Sequence, residues 1–180
     1  LEGLNFYPYI TANPLASGFH MIPKDLANNA IVGDFDIEAN LTLPFTKFFS
    51  NFGFIDKKRQ RVDCSDMIDT MGIVCQGGKD SIGTLSGGNQ QKVIVGRWLL
   101  KTCKLLILDE PFQGVDIKAR RDIGTHIRAT SNNRATLVFV SEIDEAVEIA
   151  DRIIVLHEKA VVGEHVNKNC LLYTSPSPRD

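Results

Sequence analysis

The chain has 180 residues, 43% of them hydrophobic and 23% charged, with a formal net charge of -2. That balance belongs to a folded domain long enough for a sizeable core, and the lack of a basic excess argues against a dedicated nucleic-acid binder. No run approaches the roughly 18 apolar residues of a spanning helix, and no charged-then-apolar leader opens the chain. It begins at Leu1 rather than methionine, which reads as a chain cut from something longer.

In chain order, the first eighteen residues are broken by Pro8 and Pro14 and carry little pattern. Phe19-His20-Met21-Ile22 predicts a short strand ended by Pro23. From Ile37 to about Leu100 helical patterning dominates. Phe45, Phe48, Phe49 and Phe52 recur at three- and four-residue spacing, predicting one apolar face packed in the core. Asp63 to Met71 predicts a second short helix, Gly77-Gly78 a loop, and a third helix starts near Asn89, with Val93, Ile94, Trp98 and Leu99 largely on one side.

Strand, turn and helix then alternate. Leu105–Leu108 predicts a strand, Ile117–Ala129 a helix, Thr136–Val140 a strand, Asp144–Ala150 a helix and Ile153–Leu156 a strand, with Ala160–Gly163 finishing a hairpin. This alternation predicts an α/β fold with a parallel sheet and crossovers. From Cys170 onward a Ser/Pro-rich string without periodicity reads as a non-native tail. Cys64, Cys75, Cys103 and Cys170 are scattered without metal-ligand spacing. They fit a reduced, cytosolic chain in which Cys103, beside an apolar strand, is a buried thiol.

Two motifs carry chemistry. Ser86-Gly87-Gly88 lies directly before the third helix. Glycines allow close backbone approach to a ligand, and the first amides of a helix lack intrahelical partners, so phosphate is favoured there. Ser86 could bind a phosphate oxygen, or serve only as an N-cap worth about 1 kcal/mol. The strand Leu105–Leu108 delivers Asp109 and Glu110 to its C-terminal end, where Pro111 stops it. An aspartate there can orient magnesium, and the next carboxylate can act as general base on water. Adjacent carboxylates repel, so such a pair needs a cation or other partners.

With Leu85-Ser86-Gly87-Gly88-Asn89-Gln90-Gln91-Lys92-Val93, Leu105 to Pro111, Gly114-Val115-Asp116 and Ala150 to Val155 in this order, the segment from about Gly18 to Asn167 resembles the ATP-binding subunit of ABC transporters. The Asn-Gln-Gln-Lys continuation is similar to the second of two fused ATPase halves in importers of ribose- and galactose-type sugars. The resemblance implies a partial ABC-type ATPase fold. Residues 1–36 would be a core remnant, 37–101 an inserted helical subdomain with the signature, 102–167 the α/β core, and 168–180 the tail. It implies ATP and Mg2+ as cofactors. Ser86, Gly87, Gly88 and Gln90 would contact nucleotide held by a partner half, Asp109 magnesium, and Glu110 the attacking water. Gly114, Val115 and Asp116 would form the loop between halves.

Three departures shape that reading. No Gly-x4-Gly-Lys-Ser/Thr occurs in the sequence, and Gly77-Gly78-Lys79-Asp80-Ser81 is only an echo within the helical region. Without that lysine loop the chain alone should bind ATP poorly and not hydrolyse it. Lys24 occupies the position where many relatives carry a magnesium-contacting glutamine, and a cation cannot ligate magnesium. Ser141, followed by Glu142, stands where fully active relatives place a switch histidine. The neutral Ser141 bond is worth about 1 kcal/mol against about 1.5–3 for a charge-assisted one.

The expected function is energising carbohydrate import. The implied partners are another ATPase half, membrane permease subunits and, indirectly, a periplasmic sugar-binding protein, with no nucleic acid. The implied location is peripheral, on the cytoplasmic side of a bacterial membrane. The alternatives are a soluble ABC-type ATPase acting in DNA repair or translation, and a non-catalytic fragment.

Overall fold

The computed structural model describes residues 14–24, 30–131 and 133–167. Three parallel strands form its central sheet: β1 (Phe19–Ile22), β4 (Leu105–Asp109) and β5 (Ala135–Phe139), in the order β1-β4-β5. Leu106 pairs with His20 on one side and Thr136 on the other, and Leu108 with Ile22 and Val138. Leu106 and Leu108 are fully buried because the sheet is covered where they point. Full burial of such a side chain is worth roughly 1.5–3 kcal/mol. The α/β class and the parallel pairing agree with the sequence expectation.

Between β1 and β4 lies the helical segment. It comprises α1 (Ile37–Thr42), a 3-10 stretch (Leu43–Phe49), the hairpin strands β2 (Ser50–Asn51) and β3 (Phe54–Ile55), α2 (Lys57–Met71), a 3-10 turn (Ile82–Thr84) and α3 (Gly87–Leu99). Aspartate and serine caps start these helices: Asp36 accepts from the Ala39 amide, Asp56 from those of Lys58 and Arg59, and Ser86 from that of Asn89. Gly72, left-handed, ends α2. Gly96 allows α2 and α3 to approach closely, since a Cβ there would lie 3.1 Å from Met67.

Buried polar groups tie this segment together. The Arg97 guanidinium donates to the carbonyls of Asn40 and Ala30 and to the Asn40 side chain, at 2.6, 2.7 and 3.0 Å. Burial lowers its pKa to about 10, so it stays charged at neutral pH. Gln60 donates to the Thr42 hydroxyl, which donates to the Glu38 carbonyl. Beneath α3, the buried His20 ring packs on Phe45 and Trp98, and its Nδ1 lies 2.6 Å from the Trp98 carbonyl oxygen. Ile22, Ile37, Leu41, Met71, Ile94, Leu106 and Ile123 belong to one continuous core, so the helical segment and sheet share their apolar interior.

After β4 come α4 (Ile117–Ala129), β5, α5 (Ile143–Ile149), β6 (Arg152–His157) and β7 (Ala160–Val166). α4 makes the crossover from β4 to β5.

Several expectations change. The phenylalanine stripe divides: Phe45 and Phe49 are 1% exposed, whereas Phe48 is 53% and Phe52 97% exposed. The 3-10 geometry and a non-helical Phe45 break the helical period, and residues 50–55 turn into a hairpin. α2 starts six residues before Asp63, and α3 starts at Gly87, so both glycines lie inside its first turn. Among the described residues β6 pairs antiparallel with β7 alone, outside the parallel sheet. Cys64 is the fully buried thiol, its pKa pushed up to about 12 chiefly by burial, while Cys103 is half-buried. Cys170 and residues 168–180 lie outside the described residues.

Candidate functional site

The parallel register brings four sequence-predicted positions to one rim. Ile22, Leu108 and Val138 sit side by side across the sheet, and two residues beyond each stand Lys24, Glu110 and Val140. Asp109 ends β4 opposite Phe139, and Ser141 follows directly after Val140. Lys24, Asp109, Glu110 and Ser141 thus emerge at the C-terminal ends of adjacent parallel strands, where open α/β sheets place their ligands.

Asp109 and Glu110 are half-exposed, and Lys24 and Ser141 exposed. Glu110 has φ 49°, a left-handed conformation that a non-glycine residue adopts at a cost of about 1–2 kcal/mol. Its amide donates to the Phe139 carbonyl at 2.9 Å, holding the turn against β5. On α5, burial raises the Glu145 carboxyl above the ordinary carboxylate range; the Arg120 cation opposes that rise, and the Glu110 charge adds to it.

The glycine-rich motif is built differently. The Ser86 hydroxyl accepts from the Asn89 amide at 3.4 Å and from the Asn89 side chain at 3.0 Å, while Asn89 accepts from the Val74 amide. Gln90 donates to the carbonyls of Ile82 and Leu85, both at 3.2 Å. These bonds fasten the first turn of α3 to the loop before it.

The two glycines have separate physical reasons. A Cβ on Gly88 would lie 3.0 Å from Ala119 Cβ, so this glycine is what lets α3 pack on the start of α4. A Cβ on Gly87 would meet nothing nearer than the Gly114 carbonyl oxygen at 4.0 Å, leaving the exposed helix start open to an incoming anion. Gly114 takes φ 74°, and Asp116 caps α4 by accepting from Ala119 at 2.8 Å. The Gly114-Val115-Asp116 loop therefore lies against the glycine-rich turn.

A link that the sequence reading did not assign joins the two motifs. The buried Gln91 side chain donates to the Pro111 carbonyl, immediately after the acidic pair. Its signal was a polar residue on the same helical face as Ile94 and Val95, where burial demands a partner. Next to it, the Lys92 ammonium pairs with Asp122 at 2.8 Å and donates to the Gly72 carbonyl.

The donor chemistry fits a nucleotide with magnesium in part. Hard carboxylate oxygens at the rim suit magnesium, which takes one or two carboxylates and completes its shell with water and phosphate. Among the described residues no group of three or more His, Cys, Asp or Glu side chains could hold a metal, so the rim alone is not a closed metal cage. The open start of α3 suits a phosphate.

The chain is similar to known proteins in both sequence and fold. The chain is 36% identical over 151 residues to the ribose import ATP-binding protein RbsA of Streptococcus agalactiae, covering 83% of this chain and 31% of that protein. It is 33% identical to the galactose/methyl galactoside import ATP-binding protein MglA of Yersinia pestis, covering 91% of this chain and 33% of that one. The chain thus spans about a third of the length of these curated relatives. Among solved structures, a dimeric ATP-binding cassette with ADP and Pi in a post-hydrolysis state matches at TM-score 0.72 and 19% identity, over 87% of this chain and 66% of that one. A bacterial Atm1-family ABC exporter with ATP bound matches at 0.66 and 20%, over 85% and 26%. These show the fold. The family model described as ABC transporter matches residues 16–113, more than half of the chain, and the chain belongs to that family.

Proposed function

We propose that this chain is part of the ATP-hydrolysing subunit that energises carbohydrate import, corresponding to the second of two ATPase halves. The similarity to ribose and galactose import ATP-binding proteins supports the substrate class. One observation carries the two-site reading. The glycine-rich turn packs on the 114–116 loop, while Asp109, Glu110 and Ser141 share the sheet rim. Each half would then contribute to two different nucleotide sites.

When bound, ATP supplies the phosphoanhydride whose hydrolysis drives the cycle. Gly87 and Gly88 offer unpaired first-turn amides to a phosphate held by the partner half, with Ser86 and Gln90 shaping that turn. Asp109 would hold Mg2+, and Glu110 would accept a proton from the attacking water. Ser141 offers one neutral hydrogen bond, and Lys24 repels rather than ligates a cation. The rim site is therefore the weaker of two. Gly114, Val115 and Asp116 connect the halves.

In this reading, 37–101 is the helical subdomain that passes motion to permease subunits, 1–36 and 102–167 belong to the α/β core, and 168–180 is a non-native tail. A periplasmic sugar-binding protein delivers substrate to the permease. The assembly sits on the cytoplasmic face of a bacterial membrane, and no helix among the described residues is long and apolar enough to cross it. Exposed apolar side chains on the sheet and final hairpin, including Leu137, Phe139 and Leu156, support a parent protein with more chain packed there.

The test is made in the complete parent protein. Ser86→Arg abolishes transport, whereas Glu110→Gln lowers ATPase activity and transport less. Equal loss from both substitutions overturns the two-site assignment.

A further inference from the structure

The β2–β3 hairpin and the start of α2 carry residues that their own fold disfavours. Asn51 pairs with Phe54 across a two-residue turn formed by Phe52 and Gly53, with φ of 48° and 85°. Such a turn prefers asparagine, aspartate or glycine at its first position, because a bulky side chain at positive φ is strained. Here the position holds a phenylalanine that is 97% exposed, with Phe54 at 81% beside it. Neither backbone geometry nor core packing accounts for these rings.

Three cations follow. Lys57, Lys58 and Arg59 fill the first turn of α2, which contains no acidic residue. The partial positive charge of a helix N-terminus disfavours cations there. From residue 47 to residue 61 the sequence has five cations and one carboxylate, Asp56, in a chain whose net charge is -2. That carboxylate is engaged as the cap, accepting from the Lys58 and Arg59 amides at 3.1 and 3.0 Å. The next acid along α2, Asp63, pairs with Lys101 at 2.7 Å.

We propose that this aromatic hairpin tip, with its basic skirt, docks on the surface of an anionic phospholipid bilayer. Exposed rings on a hairpin turn suit insertion at the headgroup level, and the cations suit lipid phosphates around them. Charge complementarity favours an anionic surface over a neutral apolar one. The inference rests on the hairpin and stands whether or not the chain energises import.

Vesicle co-sedimentation of the full chain tests it, using phosphatidylcholine with and without phosphatidylglycerol. The expected result is binding to the anionic vesicles alone, weakened by salt. Replacing both rings, Phe52→Ser with Phe54→Ser, should lower partitioning by roughly tenfold or more. Each of Lys57→Gln and Lys58→Gln should lower it by about fivefold. A Phe52→Trp chain should shift its emission to the blue on anionic vesicles, independently of how the serine variant folds. Equal binding to both vesicle types, or an unchanged Phe52→Trp emission, overturns the proposal. So does self-association of the chain through these rings, or capture only by vesicles that carry permease subunits.

Discussion

The start of α3 and the end of β4 are tied together through Gln91 and Pro111, yet they relate to the fold in opposite ways. At the start of α3 the folded chain itself uses nearly every motif residue. Ser86 caps, Asn89 and Gln90 fasten the preceding loop, and Gly88 permits helix packing. Only Gly87 is left open. At the end of β4 the fold bears a cost, because Glu110 is held left-handed and two neighbouring carboxylates stand half-exposed at a rim. A motif can thus be legible because structure needs it, or because structure alone would not choose it. The second kind points more directly to chemistry.

Substitutions can break this contrast. The largest effect is expected from Gly88→Ala, whose methyl group collides with Ala119. Overpacking there should cost about 1–3 kcal/mol in chemical denaturation. Gly87→Ala should stay within about 0.5 kcal/mol of the parent. Equal losses would erase the distinction between the two glycines.

Glu110→Gly should shift stability the other way, raising it by roughly 0.5–1 kcal/mol as the left-handed strain is relieved. A lower urea midpoint in that variant would show that the rim carboxylate supports the fold after all.

The smallest effect is a pH slope beneath the far end of α3. Burial holds the His20 imidazole below its ordinary value of 6.5, against the raising influence of its Trp98 carbonyl bond, and burial likewise lowers His126. The unfolded chain then binds more protons just below pH 6.5. The stabilisation is fully present above that value and is lost as pH falls toward the native pKa values. Glu145, raised, works in the opposite sense from its ordinary 4.5 upward. Denaturation midpoints of the parent and His20→Phe between pH 7.5 and 5 check the sign, the variant having the shallower slope.

Much of the fold was legible because it rests on local patterns. The strand Phe19–Ile22 and the helix Ile117–Ala129 have the expected bounds, since proline and aspartate punctuate them. The phenylalanine stripe misled, because spacing alone cannot tell a continuous helix from a 3-10 stretch that turns into a hairpin. The register that gathers Lys24, Asp109, Glu110 and Ser141 was not readable, since it depends on pairing between strands 86 and 30 residues apart.

By itself, the sequence determined the α/β class, the order of motifs and the residue chemistry of an ABC transporter family member, because periodicity, caps and motif spacing are short-range properties. Tertiary structure alone decided that Gly88 is a packing glycine and Gly87 an open one. It also decided that Gln91 clasps the acidic turn, and that Phe52 and Phe54 face outward while Phe45 and Phe49 face in. Those outcomes depend on which distant side chains arrive at each position, and close packing leaves little freedom once they do.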